Sequence, residues 1–316
     1  MARYLVTGGA GFIGSHLVEA LARAGHVVRV LDDFSTGSPE NLAGIRGTVE
    51  VHPGDVRDVD RIAEAAAGVD GVFHLAARNS VPRSFEDPEA TFATNVGGTE
   101  AVVVAARAAG IRRIVLASSS SVYGDSGTTV RRESDPTVPL SPYGESKLLA
   151  EAVCLSARAG GGPEGVCLRY FNVYGPRQDP ASPYAAVIPR FITRLLQGEP
   201  VQVYGDGQQT RDFTYVADVV AGTVAAMTSP EAAGRVINLA AGGRISVNRL
   251  AELIAEVVGG TLRVEPAPPR RGEVRHSGAD VTLARELLGY VPRWSLRDGL
   301  RATVAWHRER MEVTAG

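Results

Sequence analysis

Tyr143-Gly144-Glu145-Ser146-Lys147 sets a phenol and an ammonium four residues apart. On a helix that spacing puts both side chains on one face. Ser141-Pro142, just before them, supplies a helix cap and a first-turn proline, so a helix is expected over Tyr143–Ala159. A cation beside a phenol favours the phenolate and lowers its pKa, which makes Tyr143 a candidate general base near neutral pH. Read alone, the pair fits a solvated helical face just as well.

More hydroxyls stand in Ala117-Ser118-Ser119-Ser120-Ser121-Val122-Tyr123-Gly124, directly after an apolar run that reads as a buried strand. At a strand's C-terminal end they can reach the same substrate hydroxyl that Tyr143 would deprotonate. A third group, Thr7-Gly8-Gly9-Ala10-Gly11-Phe12-Ile13-Gly14, joins a strand to a helix. Gly8 permits the tight bend, Gly11 lets backbone approach a pyrophosphate, and Gly14 lets helix and strand pack closely. Phosphate then belongs at the helix start, around Phe12 and Ile13, where free N–H groups and the dipole favour negative charge.

The second strand ends in Leu31-Asp32-Asp33. A carboxylate there accepts ribose hydroxyls and repels a ribose phosphate, which points to NAD over NADP. Asp55-Val56 and Leu75-Ala76-Ala77 follow the third and fourth strands, where ligands of doubly wound sheets lie. Taken singly, each of these is ordinary turn chemistry. With NAD supplied, the parts for reversible alcohol oxidation are present.

Positioning these groups requires an α/β fold. Short β-branched runs at Arg3–Thr7, Val27–Asp32, Val49–Pro53, Gly71–Leu75, Arg113–Ser118 and Gly165–Tyr170 alternate with helical stretches at Ser15–Ala24, Val59–Ala67, Asn95–Ala109 and Tyr143–Ala159. That alternation reads as a doubly wound parallel sheet. After Gly175 prolines punctuate a smaller, irregular region. Residues 1–170, with 213–240 contributing, are expected to form the NAD-binding domain; 171–212 and 241–316 form an interleaved substrate region. The wide apolar faces of Asn95–Ala109 and Tyr143–Ala159 either cover the sheet or pair with a second copy.

Bulk properties narrow the function classes. The formal charge of -2 on 316 residues gives no reason to expect nucleic acid or an anionic membrane as a partner. The chain begins Met1-Ala2-Arg3 and enters a strand without a signal-like apolar stretch, and Arg107, Arg112 and Arg113 break the best bilayer candidate. Cys154 and Cys167 lack metal-ligand spacing, and free thiols fit a reducing compartment. No metal is expected, and the cytoplasm is the expected location.

These combined motifs resemble the extended short-chain dehydrogenase/reductases, in particular the nucleotide-sugar 4-epimerase group that includes UDP-glucose/UDP-galactose 4-epimerases. The resemblance runs from Thr7 to Ser277 and implies a Rossmann-type domain, NAD, a homodimer and a catalytic set of Ser119, Tyr143 and Lys147. It also implies a UDP-sugar substrate held by Ser119, Ser120, Asn172, Arg211 and Arg270, and a small Ser277 with room for an N-acetyl group. Tyr204 would border the base, although strand packing explains it equally well. Without the resemblance each arginine reads as a surface charge. Ser80–Ser84 and Arg177–Tyr184 look like segments of epimerases that accept 2-acetamido sugars. Dehydratases of the family carry an Asp-Glu pair where this chain has Ser120 and Ser121, and decarboxylating relatives carry a glutamate at the position of Ser121. That leaves oxidation, rotation and reduction at C4. The alternatives are UDP-glucuronate as substrate, weakened by Asp179, which would repel its carboxylate, and a sugar-nucleotide dehydratase or reductase of the same family.

Overall fold

The computed structural model describes residues 1–125, 127–180, 185–269 and 274–315. Six apolar runs form strands β1 (Arg3–Thr7), β2 (Val27–Asp32), β3 (Thr48–Pro53), β4 (Gly71–His74), β5 (Arg113–Ser119) and β6 (Glu164–Tyr170). They pair in parallel in the order β6-β5-β4-β1-β2-β3, and a seventh strand, Val236–Leu239, adds beside β6. β1, β4 and β5 are buried on both faces, as near-continuous Val, Ile and Leu content requires of a sheet covered by helices. This is the Rossmann-type doubly wound arrangement.

Two apolar cores lie on opposite sides of the sheet. One packs Leu17, Val18 and Leu21 with Val219, Val220 and Met227, and continues into the C-terminal region through Phe191, Leu250 and Ile254. The other packs Ile62, Val102, Ala106 and Ala150 against Leu5, Val72 and Ile114. Cys154 and Cys167 are buried there as free thiols. No helix of the described residues is long and apolar enough to cross a membrane.

Two helices depart from expectation. The first starts at Phe12, not Ser15, because Gly11 occupies the cap position. The expected helix Asn95–Ala109 is a wider π turn at Ala93–Gly97 followed by Gly98–Ala108. Asn95 is buried in that turn, and its amide donates to Ser146 Oγ at 2.9 Å and accepts the Arg78 N–H at 2.8 Å. Those inward bonds account for the widened turn. The helix Pro142–Ser156 begins as its sequence predicts, with Ser141 Oγ accepting the Gly144 N–H at 3.1 Å.

Outside the main sheet, Thr210–Arg211 lies between Ile245–Ser246 and His276–Ser277, while Val201–Tyr204 pairs with Val264–Ala267.

Candidate functional site

The strand order reverses between β1 and β4, and open α/β sheets hold ligands beyond the C-terminal ends of strands at such a point. Here Gly8, with φ +69°, lies so close to β4 that a Cβ would come within 2.7 Å of the Ala76 nitrogen. A Cβ on Gly14 would overlap the Gly8 carbonyl oxygen, whereas one on Gly11 would meet only that oxygen, at 3.3 Å. Gly11 is thus the glycine with space in front of it. The helix it starts has no side-chain cap, unlike the helix starts at Ser141, Asp58, Ser80 and Ser246. Its first-turn N–H groups, at Phe12 and Ile13, remain available to an anion. This cradle fits the pyrophosphate of a dinucleotide.

Leu75 and Ala76 are tied to β1: the Leu75 N–H donates to the Thr7 carbonyl at 3.1 Å and the Ala76 N–H to Thr7 Oγ1 at 3.3 Å. Ala77 follows, half-buried. His74 continues this chain inward, bonding Thr7 Oγ1 at 2.7 Å and Thr99 Oγ1 at 3.1 Å. Burial lowers its pKa to about 3, so it is a neutral bridge.

Asp32 is buried; one carboxylate oxygen accepts the Ala10 N–H at 2.8 Å and the other the Phe34 N–H at 2.9 Å. Burial raises its pKa, and both backbone bonds oppose the rise. Each oxygen keeps a lone pair for a further donor. Asp33 is exposed and caps its own turn at Ser35. Asp55 holds Arg57 with contacts down to 2.5 Å, so its carboxylate is already engaged. Val56 is buried against Gly98.

β5 ends on Ser119, and Ser120 opens a tight turn, Ser120–Tyr123. Ser119 Oγ accepts the Ser121 N–H at 3.1 Å. The helix carrying Tyr143 comes close because Gly144 has no side chain; a Cβ there would lie 2.6 Å from the Ser121 carbonyl oxygen. Ser119 and Tyr143 are thereby brought together, the serine close enough to act on the phenol, its hydroxyl donating to Ser121 Oγ at 3.1 Å, and Lys147 lies one turn further along the helix of Tyr143. One expectation is corrected. Burial raises the Tyr143 pKa, and what opposes the rise is Ser119, not Lys147. The lysine is itself pushed down to about 8 by burial, against the pull of Glu151 and Cys167.

Arg211 and Ser277 are direct partners across neighbouring strands. The Arg211 guanidinium bonds the Thr210 carbonyl at 2.9 Å. Asn172 follows β6 with φ +29°, a left-handed value also found at Phe34 after β2 and at Arg177. Such strain concentrates at ligand-facing segments. Tyr204 stands on a different strand pair, its hydroxyl donating to Gln202 at 2.7 Å and its ring under Arg190. Arg270 and residues 181–184 of the Arg177–Tyr184 segment lie outside the described residues.

Sequence reasoning missed several supports. His16 bonds the Pro176 carbonyl at 3.0 Å, and Arg177 pairs with Glu19 at 2.6 Å. Together they pin the loop after β6 onto the first helix. Asp212 is buried and accepts the Ala241 and Gly242 N–H groups, both at 3.0 Å, with its pKa raised to about 6 by burial. Neither has a local spacing signal. Glu151, one turn beyond Lys147, did carry one and pairs with Arg169 at 2.8 Å.

The model of the NAD dependent epimerase/dehydratase family matches residues 4–240. A UDP-glucose 4-epimerase of Mycolicibacterium smegmatis is 40% identical over 98% of this chain and 100% of its own. A UDP-N-acetyl-alpha-D-glucosaminuronate decarboxylase of Bacillus cytotoxicus is 36% identical over 97% of this chain and 98% of its own. The solved UDP-N-acetylglucosamine 4-epimerase of Methanobrevibacter ruminantium, in complex with UDP-N-acetylmuramic acid, superposes with a TM-score of 0.93. It is 37% identical and covers 98% of this chain and 99% of that one.

Proposed function

The chain belongs to the NAD dependent epimerase/dehydratase family, and from that premise we propose that it is a UDP-sugar 4-epimerase, interconverting UDP-glucose and UDP-galactose. The observation that supports this reading is the close approach of the helix carrying Tyr143 and Lys147 to the end of β5, where Ser119 lies, with serines rather than carboxylates at 120 and 121. Those serines offer no acid or base for elimination across C5 and C6 or for decarboxylation.

NAD, when bound, accepts the hydride of the sugar C4, returns it, and in its oxidised form carries a positive charge. Gly8, Gly11, Gly14, Phe12 and Ile13 hold its pyrophosphate and Asp32 its adenine ribose, with Asp33, Asp55, Val56, Leu75, Ala76 and Ala77 bordering it. Tyr143, assisted by Ser119, takes the proton of the C4 hydroxyl as the C4–H bond breaks, leaving a 4-keto sugar. The sugar turns about its bond to the diphosphate and presents its other face. Tyr143 then returns the proton as the C4–H bond re-forms on that face. Lys147 binds the nicotinamide ribose and keeps positive charge beside the phenol.

Anchoring must survive the rotation, so it acts on the diphosphate and uridine through Asn172, Arg211 and Arg270. Guanidinium groups suit phosphate. Ser120 and Ser277 face the sugar, Tyr204 borders the base, and the small Ser277 admits an N-acetyl group, so UDP-N-acetylglucosamine is a second substrate. Residues 1–170 with 213–240 form the NAD half; 171–212 and 241–316 form the sugar-nucleotide half. We further read the protein as a cytoplasmic homodimer, supported by the free thiols and by Val104 and Leu149, which are 58% and 44% exposed on the two apolar helices. Incubation with a panel of UDP-sugars, followed by chromatographic separation of C4 epimers, tests the reading. Conversion of none of them would refute it.

A further inference from the structure

Lys147 is the single lysine in the chain, among 33 basic residues, and it is buried. Four groups face it or share its helical face: Tyr143 and Glu151 on its own helix, His74 from β4 and Cys167 from β6. Of these, Glu151 is the carboxylate, four residues on and on the same helical face. Its side chain is 4% exposed.

Three bonds clamp that carboxylate. Ser118 Oγ donates to Glu151 Oε1 at 2.5 Å, Arg169 Nε donates to the same oxygen at 2.9 Å, and Arg169 Nη2 donates to Oε2 at 2.8 Å. Arg169 in turn sits over the Tyr123 ring, 4.6 Å from its centroid. The clamp therefore ties three elements: β5 through Ser118, next to Ser119; β6 through Arg169; and the helix of Tyr143 and Lys147. A buried ion pair is a weak device for stability, since apolar residues of similar volume serve as well. Its consequence here is directional, with the negative end toward the lysine's helix face and the positive end against an aromatic ring.

We propose that Glu151, clamped by Ser118 and Arg169, is a positioning residue that holds the Lys147 ammonium charged and in place and fixes the helix against the strand bearing Ser119. The kinetic side of this proposal rests on the epimerase reading; the titration of Lys147 does not. Burial pushes Lys147 down to about 8, and Glu151 is the first of the groups that oppose the fall. Removing the carboxylate lets the lysine lose its proton at lower pH.

A single lysine makes the test direct, because protein grown on 13C-lysine gives one set of side-chain NMR signals. In the native protein these signals are expected to titrate near pH 8. In Glu151→Gln the midpoint falls by about one pH unit, as loss of a nearby opposite charge requires. The alkaline limb of kcat falls with it, while KM for the UDP-sugar stays within about twofold, since no substrate contact is lost. Glu151→Asp, which keeps the charge, restores most of both. Glu151→Gln leaves Arg169 buried and unpaired and is prone to unfolding. Glu151→Gln/Arg169→Met has no orphaned charge and carries the same measurement; its lysine still titrates low, because Glu151, and not Arg169, is among the charges that act on Lys147. A Lys147 midpoint at the native value in both variants overturns the proposal. Native protein that epimerises no UDP-sugar overturns the functional reading instead and leaves the titration standing.

Discussion

The hydroxyl of Ser119, at the last position of β5, stands beside the phenol of Tyr143 at the start of the facing helix. It is what pulls the phenol pKa down against burial. Ser119→Ala therefore raises the Tyr143 pKa, and the rising limb of kcat against pH moves to higher pH. The rate at neutral pH falls about a hundredfold, the usual scale for general acid–base assistance. A pH profile of purified variant and native protein checks both.

A methyl group at position 14 has nowhere to go. It would overlap the Gly8 carbonyl in the turn that precedes the uncapped helix. Gly14→Ala is expected to cost about 1–3 kcal/mol through overpacking and to weaken NAD binding further. Thermal unfolding with and without NAD separates the two effects.

Asp32 accepts two backbone N–H bonds, one from Ala10 in the glycine turn after β1 and one from Phe34 just after β2. Asp32→Ala leaves the buried Ala10 N–H unpaired, at about 1–3 kcal/mol, and the part-buried Phe34 N–H unpaired at a smaller cost. It also removes the group that would repel a ribose phosphate. The ratio of NAD to NADP affinity is expected to drop, by calorimetry on protein stripped of coenzyme.

Lys147 carries charge below pH 8 and loses it above. Activity is expected to decline above about pH 8, as the cation that binds the nicotinamide ribose in our reading loses its charge. The depressed pKa also opposes folding wherever the lysine is charged, so for this group alone unfolding free energy rises between pH 8 and the ordinary lysine value of 10.5. Denaturant melts at several alkaline pH values read this contribution.

Much of the scaffold was legible because strand and cofactor chemistry are local. β1 and β2 follow from short apolar β-branched runs, and the glycines from their spacing. The start at Phe12 was missed because Gly11 replaces the usual polar cap. The π turn at Asn95 was hidden because its cause, Ser146, lies 51 residues away. The sign of the Tyr143 shift was missed for a related reason: the spacing of Tyr143 and Lys147 shows their proximity but not how deeply the phenol is desolvated. Arg211 and Ser277 meet only because two short strands pair. No pattern in the chain announces that pairing.

Ser277 and Arg211 share one register position, so a larger side chain at 277 intrudes where the sugar nucleotide is held in our reading. Ser277→Tyr is expected to lose turnover of UDP-N-acetylglucosamine at least tenfold more than turnover of UDP-glucose, about the effect of steric exclusion in a pocket. Equal loss of both would remove Ser277 from the specificity assignment.

The most direct test of C4 epimerisation uses UDP-glucose carrying deuterium at C4. The mechanism above requires UDP-galactose with the deuterium still at C4, no solvent hydrogen at C5 or C6, and no product from Tyr143→Phe. A 4-keto-6-deoxy product, or solvent hydrogen at C5, would contradict it.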